Sequence, residues 1–141
     1  KYPCSYRGIE SPYGDIWQFV DGVNVNDCQA WVAKNAADYA SNVFAHPYGQ
    51  LGYANSEDNG YVAQMGHDPE HPFAEIPVVT TGAGSTTYYC DYYYQAAGQR
   101  VARVGGRWYD GAAAGPSCWY LNSYSGSSHV IIGGRLLKKA L

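Results

Sequence analysis

Two histidines, His67 and His71, lie four residues apart with acidic residues between them. On a helix this spacing would place two metal ligands on one face. Pro69 and Pro72 exclude a regular helix here, because proline lacks the backbone N–H and clashes with the preceding turn. The order also differs from the H-E-x-x-H motif of zinc proteases. We therefore predict a surface turn and no metal site.

A second group of chemical interest is the acidic turn Glu57-Asp58-Asn59-Gly60, with Asn55 nearby. Its oxygen atoms are of the type that calcium prefers, but the alternating acidic loop of an EF-hand is missing. The prediction is a plain polar turn. A single structural calcium ion is the alternative, and no other cofactor is expected.

Nucleophilic chemistry has little support. No serine lies in a G-x-S-x-G turn, and the glycine-rich segment 82–85 lacks the lysine of a phosphate-binding loop. Nothing points to the paired carboxylates of a glycosidase. The four cysteines, Cys4, Cys28, Cys90 and Cys118, are widely spaced and form no C-x-x-C pair. Two disulfides are one option. Free thiols are favoured, because a domain of this size can bury a sufficient core without disulfides.

Length and composition indicate one globular domain over residues 1–141 that does not bind nucleic acid. The 141 residues carry a net charge of -3, and the basic cluster at the C-terminus is short. Charged residues are too few for a disordered chain, and no apolar run is long enough to span a bilayer. We expect no membrane insertion. Since the sequence begins at Lys1, we expect a C-terminal fragment of a longer protein.

Hydrophobic periodicity predicts few regular elements. Residues 26–44 have apolar side chains at three-to-four spacing after capping residues, which predicts the main helix, and 12–18 is a weaker helical candidate. Alternation predicts strands within 16–25, with a turn at Asp21-Gly22, and within 88–95, 100–104 and 130–132. The tyrosines of 88–94 should point alternately to opposite faces. The long stretches 45–75 and 110–128 are predicted to be functional loops.

Three segments carry a family resemblance. Residues 13–22 resemble the G-N-V-W-E-W segment of the formylglycine-generating-enzyme branch of the C-type-lectin fold. Residues 104–108 resemble its G-G-S-W segment, and 132–136 resemble its closing G-F-R-L strand. The resemblance implies an α+β, C-type-lectin-like domain with one or two helices, a small antiparallel sheet and extensive loops. It also implies that Trp17, Trp31, Trp108 and Trp119 are mostly buried.

Enzymatic activity is not expected. The catalytic cysteines of that family follow the G-G-S-W segment, where this chain reads Tyr109-Asp110-Gly111-Ala112 and has only Cys118 further on. The calcium-binding triplets of true C-type lectins are also missing. We therefore predict that the protein is not an enzyme, with a formylglycine-generating-type oxidase as the first alternative.

Residues 105–136 also resemble the variable region of diversity-generating-retroelement proteins, which lie on phage tail-fibre tips and bacterial surfaces. Such systems mutate adenines, and a mutated AAC codon never encodes Lys, Glu, Gln, Met or Trp. Residues 100–137 contain none of the first four. The positions that match the fixed scaffold are Gly105, Gly106, Trp108, Gly111, Ala114, Gly115, Trp119, Leu121, Asn122, Ile132, Gly133, Arg135 and Leu136.

Between these scaffold positions lie side chains that we expect to be exposed and to bind a ligand. They are Arg107, Tyr109, Asp110, Ala113, Ser117, Tyr120, Ser123, Tyr124, Ser127, His129 and Ile131. Tyrosine, serine and aspartate together resemble an antibody paratope. The resemblance implies recognition of a host-cell protein or glycan by a tail fibre or an extracellular surface protein, and is compatible with a homotrimer. A purely structural virion or cell-surface module is the second alternative.

Overall fold

The computed structural model of the chain describes residues 5–6 and 9–134, and β-strands dominate this part. The strands are β1 (Ser5–Tyr6), β2 (Ile9–Glu10), β3 (Trp17–Asn26), β4 (Gln29–Val32), β5 (Gly49–Gln50), β6 (Gly60–Tyr61), β7 (Gln64–Met65), β8 (Pro77–Val79), β9 (Tyr92–Gln95), β10 (Gln99–Val104), β11 (Trp119–Ser123) and β12 (Ile132–Gly133). In the described residues the helical segments are two short 3-10 turns, Ala36–Asp38 and Gly111–Ala113. The fold is mainly β, so the predicted α+β class with one or two helices is wrong.

Eight strands form one mixed sheet in the order β5-β4-β3-β10-β11-β9-β6, with β12 also pairing with β3. The β9–β11 and β12–β3 pairs are parallel, and the other pairs are antiparallel. Two small two-stranded sheets, β1–β2 and β7–β8, complete the described part. Strands that follow each other in sequence are therefore not always adjacent in the sheet. For example, β9 and β10 are separated by β11.

The predicted helix over 26–44 is instead a β-hairpin followed by loop and a 3-10 turn. Asp27 and Cys28 have φ values of 44° and 65°, and two successive positive φ values reverse the chain in a tight hairpin turn. The reversal pairs β4 with β3, so that Ala30 and Val32 are buried beside the valines of β3. In β4 every second side chain is buried, as expected for a strand, so the apolar residues that had suggested a helix are buried without one.

The other strand predictions are partly correct. Residues 12–18 form no helix, since β3 begins at Trp17. The turn expected at Asp21-Gly22 is a bulge inside β3, where Gly22 has a φ of +77° and the pairing with β10 changes register. The strands predicted in 88–95 and 100–104 correspond to β9 and β10. The last predicted strand is shorter, because Val130 is exposed and only Ile132–Gly133 pairs with β3.

One face of the large sheet carries the hydrophobic core. Its buried members are Val23, Val25, Ala30, Val32, Leu51, Val62, Ala74, Ile76, Tyr93, Ala102 and Leu121. The prediction that the tryptophans are mostly buried holds for Trp17, which is 1% exposed, and for Trp31 and Trp119, which keep only a minor part of their surface exposed. Trp108 is 64% exposed, so its predicted burial is wrong. It follows a double-glycine turn that carries it away from the core.

The segment 67–71 is the turn that its prolines predicted. Asp68 is buried and accepts hydrogen bonds from the backbone N–H groups of Gly52 (3.0 Å) and Glu70 (2.9 Å). The His71 ring nitrogen Nδ1 lies 3.0 Å from the same carboxylate. These interactions, the Gly52 bond foremost, lower the pKa of Asp68 to about 2. The contacts of Asp68 with Gly52, Glu70 and His71 fix the loop, and within the described residues no cluster suited to a metal ion occurs.

The acidic turn 57–60 also has a structural role. The Asn59 side-chain oxygen accepts a 2.7 Å hydrogen bond from the backbone N–H of Gln95 and so ties the turn to β9. The cysteines of the described part, Cys28, Cys90 and Cys118, are free thiols, in agreement with the favoured option, while Cys4 lies outside the described residues. Across 5–6 and 9–134, no helix is long and apolar enough to cross a membrane.

Candidate ligand-binding site

A double-glycine turn after β10 positions the first predicted site residues. Gly105 and Gly106 have φ values of +90° and +75°, a region that side-chain-bearing residues rarely adopt. A Cβ atom on Gly106 would lie 2.5 Å from the Cβ of Ala114. The Gly105 carbonyl also accepts a 2.8 Å hydrogen bond from the Gly14 N–H. These glycines are therefore required by the backbone path that presents Arg107 and its neighbours.

Arg107 and Asp110 close this loop with charge-assisted hydrogen bonds. Arg107 Nε donates to Asp110 Oδ1 over 2.8 Å, and the Arg107 backbone N–H donates to Oδ2 over 2.9 Å. Burial alone would lower the pKa of Arg107, but the Asp110 carboxylate raises it above the ordinary value. The guanidinium also lies 4.1 Å from the ring centre of Tyr109, and the Tyr109 ring packs edge-on against Trp108 at 4.9 Å. Tyr109 is 51% exposed. The loop thus presents two aromatic rings and a fixed cation.

Next to this loop, the sheet face opposite the core carries a cluster of aromatic rings. Tyr120 packs on Trp17 with 4.3 Å between ring centres and stacks on Tyr94 at 5.5 Å with 26° between the ring planes. Tyr92 lies 6.4 Å from Tyr120 and makes an edge contact with Tyr61 at 5.3 Å. We call Trp17, Tyr61, Tyr92, Tyr94 and Tyr120 the aromatic face.

The register of the strands explains why these rings meet. Tyr120 and Tyr94 are directly paired across the parallel β11–β9 ladder, and Tyr61 is paired with Tyr92. Successive residues of a strand point to opposite faces, so Tyr93 enters the core while its two neighbours lie on the aromatic face. The alternation predicted for the tyrosines of 88–94 is confirmed for Tyr92, Tyr93 and Tyr94, but it is wrong for Tyr88 and Tyr89, which lie in a turn and are both exposed. That the rings of β9 meet Tyr120 depends on the order of the strands.

Arg103 adds a second cation beside the aromatic face. Its Nη2 donates to Asn122 Oδ1 over 2.7 Å, and its guanidinium lies 5.2 Å from the centre of the Trp17 ring. Its buried Nε makes no hydrogen bond within 5–6 and 9–134. Burial, and then the like charge of Arg107, lower the pKa of Arg103. Two guanidinium groups therefore lie near one carboxylate, that of Asp110.

Comparisons with known proteins give no relative. No protein-family model, curated protein or solved structure matches this chain. The function is therefore argued from the geometry of this site.

The second group of predicted site residues lies at the far end of β11. Tyr124 is 64% exposed, and the Arg100 guanidinium lies 4.0 Å from its ring centre. The Ser127 hydroxyl oxygen accepts a 3.1 Å hydrogen bond from the Tyr124 N–H. Arg100 and Val104 are four residues apart along β10, about 13 Å at the usual strand rise. This second group is thus separated from the loop that carries Arg107.

The remaining predicted residues are distributed around these two groups. Ser123 is buried, so its predicted exposure is wrong. His129 is exposed and Ile131 is half-buried, with the Ile131 carbonyl accepting a 2.9 Å hydrogen bond from the Trp17 N–H. Ala113 belongs to the second 3-10 turn, and Ser117 is half-buried before β11. The eleven predicted residues therefore do not form one uniformly exposed patch.

Asp91 is a positioning residue that no sequence motif indicated. Its buried carboxylate accepts a 2.6 Å hydrogen bond from the Ser117 N–H, and a Cβ on Gly115 would overlap that carboxylate. Burial raises the pKa of Asp91, while the Ser117 hydrogen bond opposes the increase. The contact fixes the start of β11. The aromatic residues Tyr61, Tyr92 and Tyr94 were missed as well, because their role depends on strand pairing.

Proposed function

We propose that this chain is a ligand-binding display domain that recognises a protein or glycan on the surface of another cell. The observation that carries the proposal is that the loop of Arg107, Trp108 and Tyr109 lies beside the aromatic face, with Arg107 near enough to Tyr120 to interact with it electrostatically. Tyrosine, tryptophan and arginine dominate binding hot spots, because they combine large contact areas with hydrogen bonding. Rigid packing of Tyr120 between other rings lowers the entropy lost on binding.

The chemistry of the site favours a ligand with flat apolar surface and hydrogen-bond acceptors or negative charge. Tyr94 and Tyr109 offer ring surface to solvent, and the partly exposed guanidinium of Arg107 supplies donors. A glycan ring or an acidic peptide loop has both properties. As a display domain, the chain would belong to a phage tail fibre or a related extracellular surface protein.

The alternative of a formylglycine-generating-type oxidase is disfavoured by Cys118. Burial, and then the nearby carboxylates, raise the pKa of this thiol to about 12. A catalytic cysteine requires the thiolate, which is scarce at neutral pH when the pKa is so high. Cys118 is buried below the start of β11, where it acts as a small core residue.

The proposal is tested by measuring adhesion of the fluorescently labelled protein to a panel of bacterial cells, followed by arrays of surface glycans and purified surface proteins. Tyr109→Ala and Tyr94→Ala should each weaken adhesion about 30-fold, the usual effect at a hot-spot tyrosine. Tyr88→Ala is the matched control, because Tyr88 is 71% exposed but belongs to neither group of site residues. Equal losses in all three variants, or none in the first two, would reject the loop and the aromatic face as the binding site.

A further inference from the structure

A cavity of about 580 Å³ opens on the core side of the sheet, away from the aromatic face. Trp119 lines it and packs against the core, whereas the next residue, Tyr120, belongs to the aromatic face. Adjacent strand residues point to opposite sides of a sheet, so the two sites lie on different faces. The volume lies within the range of small-ligand pockets.

Four aromatic side chains form part of the cavity walls. They are Tyr39, Phe73 and Tyr89, which are all exposed, and the half-buried Trp119. Half-buried apolar side chains that pack on the core, such as Met65, contribute to the lining. The aromatic side chains come from separate segments of the chain, so the tertiary structure gathers them into one site.

Local contacts hold two of these aromatic side chains in place. The Tyr39 ring lies directly on the backbone of Gly22, where a Cβ atom would approach ring carbons to 2.5 Å. Phe73 follows the loop fixed by Asp68 and packs edge-on against His71 at 6.1 Å between ring centres. Both rings are therefore positioned before any ligand arrives.

The charge of the cavity lining has one sign. Asp21 and Glu75 both line it, and among the residues of 5–6 and 9–134 no lysine or arginine lines it. Within the described residues, Asp21 has no ion pair, and the one ion pair of Glu75 is with His67 at 3.7 Å, where both side chains are more than half exposed. Such an exposed pair is weak. Aromatic faces also attract cations through their quadrupole. The aromatic walls and the two carboxylates therefore both favour a positively charged ligand.

We propose that this cavity binds an organic cation, an ammonium group carried on an apolar stem. The stem would contact Met65 and Trp119, and the ammonium would lie among the aromatic rings near Asp21 and Glu75. A lysine side chain of a partner protein and a free quaternary amine share this chemistry. The cavity is separate from the aromatic face. Cation binding in the cavity can therefore be observed even if the adhesion assay gives a negative result.

Isothermal titration calorimetry with two matched pairs of probes tests the proposal. The first pair is choline and its uncharged isostere 3,3-dimethylbutan-1-ol, and the second is N-acetyl-lysinamide and N-acetyl-norleucinamide. At least one cation should bind with a Kd of about 1 mM or tighter, and about 10-fold more tightly than its neutral partner. The pair that shows the preference identifies the source of the cation. Absence of cation binding, or equal affinity within both pairs, would overturn the proposal.

Substitutions of residues that line the cavity test whether the cation binds there. The double change Asp21→Asn and Glu75→Gln should remove most of the preference for the cation and leave the affinity of the neutral probe unchanged. Glu70→Gln is the control, since Glu70 is exposed and does not line the cavity. Phe73→Leu keeps an apolar wall but removes a ring, so it should weaken cation binding alone. Cation binding that survives these changes and is lost in Tyr109→Ala would contradict the assignment.

Discussion

The clearest energetic prediction distinguishes Tyr120 from Tyr109. Both were expected to be exposed, yet Tyr120 is half-buried against Trp17 and Tyr94, whereas Tyr109 is 51% exposed. Truncation of a fully buried aromatic residue costs about 3–5 kcal/mol. Since Tyr120 is not fully buried, we expect Tyr120→Ala to cost less than this range and to lower the free energy of unfolding by about 2 kcal/mol.

The same reasoning gives a much smaller effect for Tyr109→Ala, below about 1 kcal/mol, because this ring contacts solvent, Trp108 and Arg107. In a domain of this size, about 2 kcal/mol corresponds to a fall in Tm of roughly 6–10 °C. Urea unfolding followed by circular dichroism gives the free energies, and thermal scans give the Tm values.

Tyr120→Phe is the internal control for this comparison. No hydrogen bond to the Tyr120 hydroxyl occurs within 5–6 and 9–134, so removal of the hydroxyl should change stability by less than about 0.5 kcal/mol. If Tyr109→Ala destabilised the protein as much as Tyr120→Ala, the loop would be part of the core. If Tyr120→Ala left Tm unchanged, the ring packing on this face would contribute nothing to stability, and the reasoning would be refuted.

Two further predictions concern the loops that support the site. Gly106→Ala should destabilise the protein by about 2 kcal/mol or more, because residue 106 has a positive φ and the new Cβ would clash with Ala114. Gly111→Ala is the control. Residue 111 also has a positive φ, but no atom lies near the new Cβ, so this change should cost only about 1 kcal/mol in the same unfolding assay. The pKa of Asp68 is lowered from 3.8 to about 2, so its stabilising interactions, including that with His71, are present above pH 4 and lost toward pH 2. The difference in Tm between wild type and Asp68→Asn should therefore close over that interval, and a difference independent of pH would exclude this carboxylate as the cause.

Much of the local structure could be predicted from the sequence. Pro69 and Pro72 predicted the turn over 67–71 in place of a helix, because proline acts through local covalent geometry. The alternation of Tyr92, Tyr93 and Tyr94 follows from strand geometry alone. The resemblance predicted fixed glycines at 105 and 106, and both have positive φ values, which glycine adopts readily. Such features depend on a few consecutive residues.

The hairpin turn at Asp27-Cys28 and the strand order were decided by tertiary structure. The apolar spacing from Cys28 to Tyr39 fits a helix as well as two short elements, and only pairing with Val23 and Val25 selects the strand. Likewise, β11 lies between β9 and β10, so Tyr120 meets Tyr94 although no sequence pattern links them. Residue types and local turns are properties of the sequence itself. The surface that they build depends on non-local strand pairing, because each ring is positioned by a strand distant in the chain.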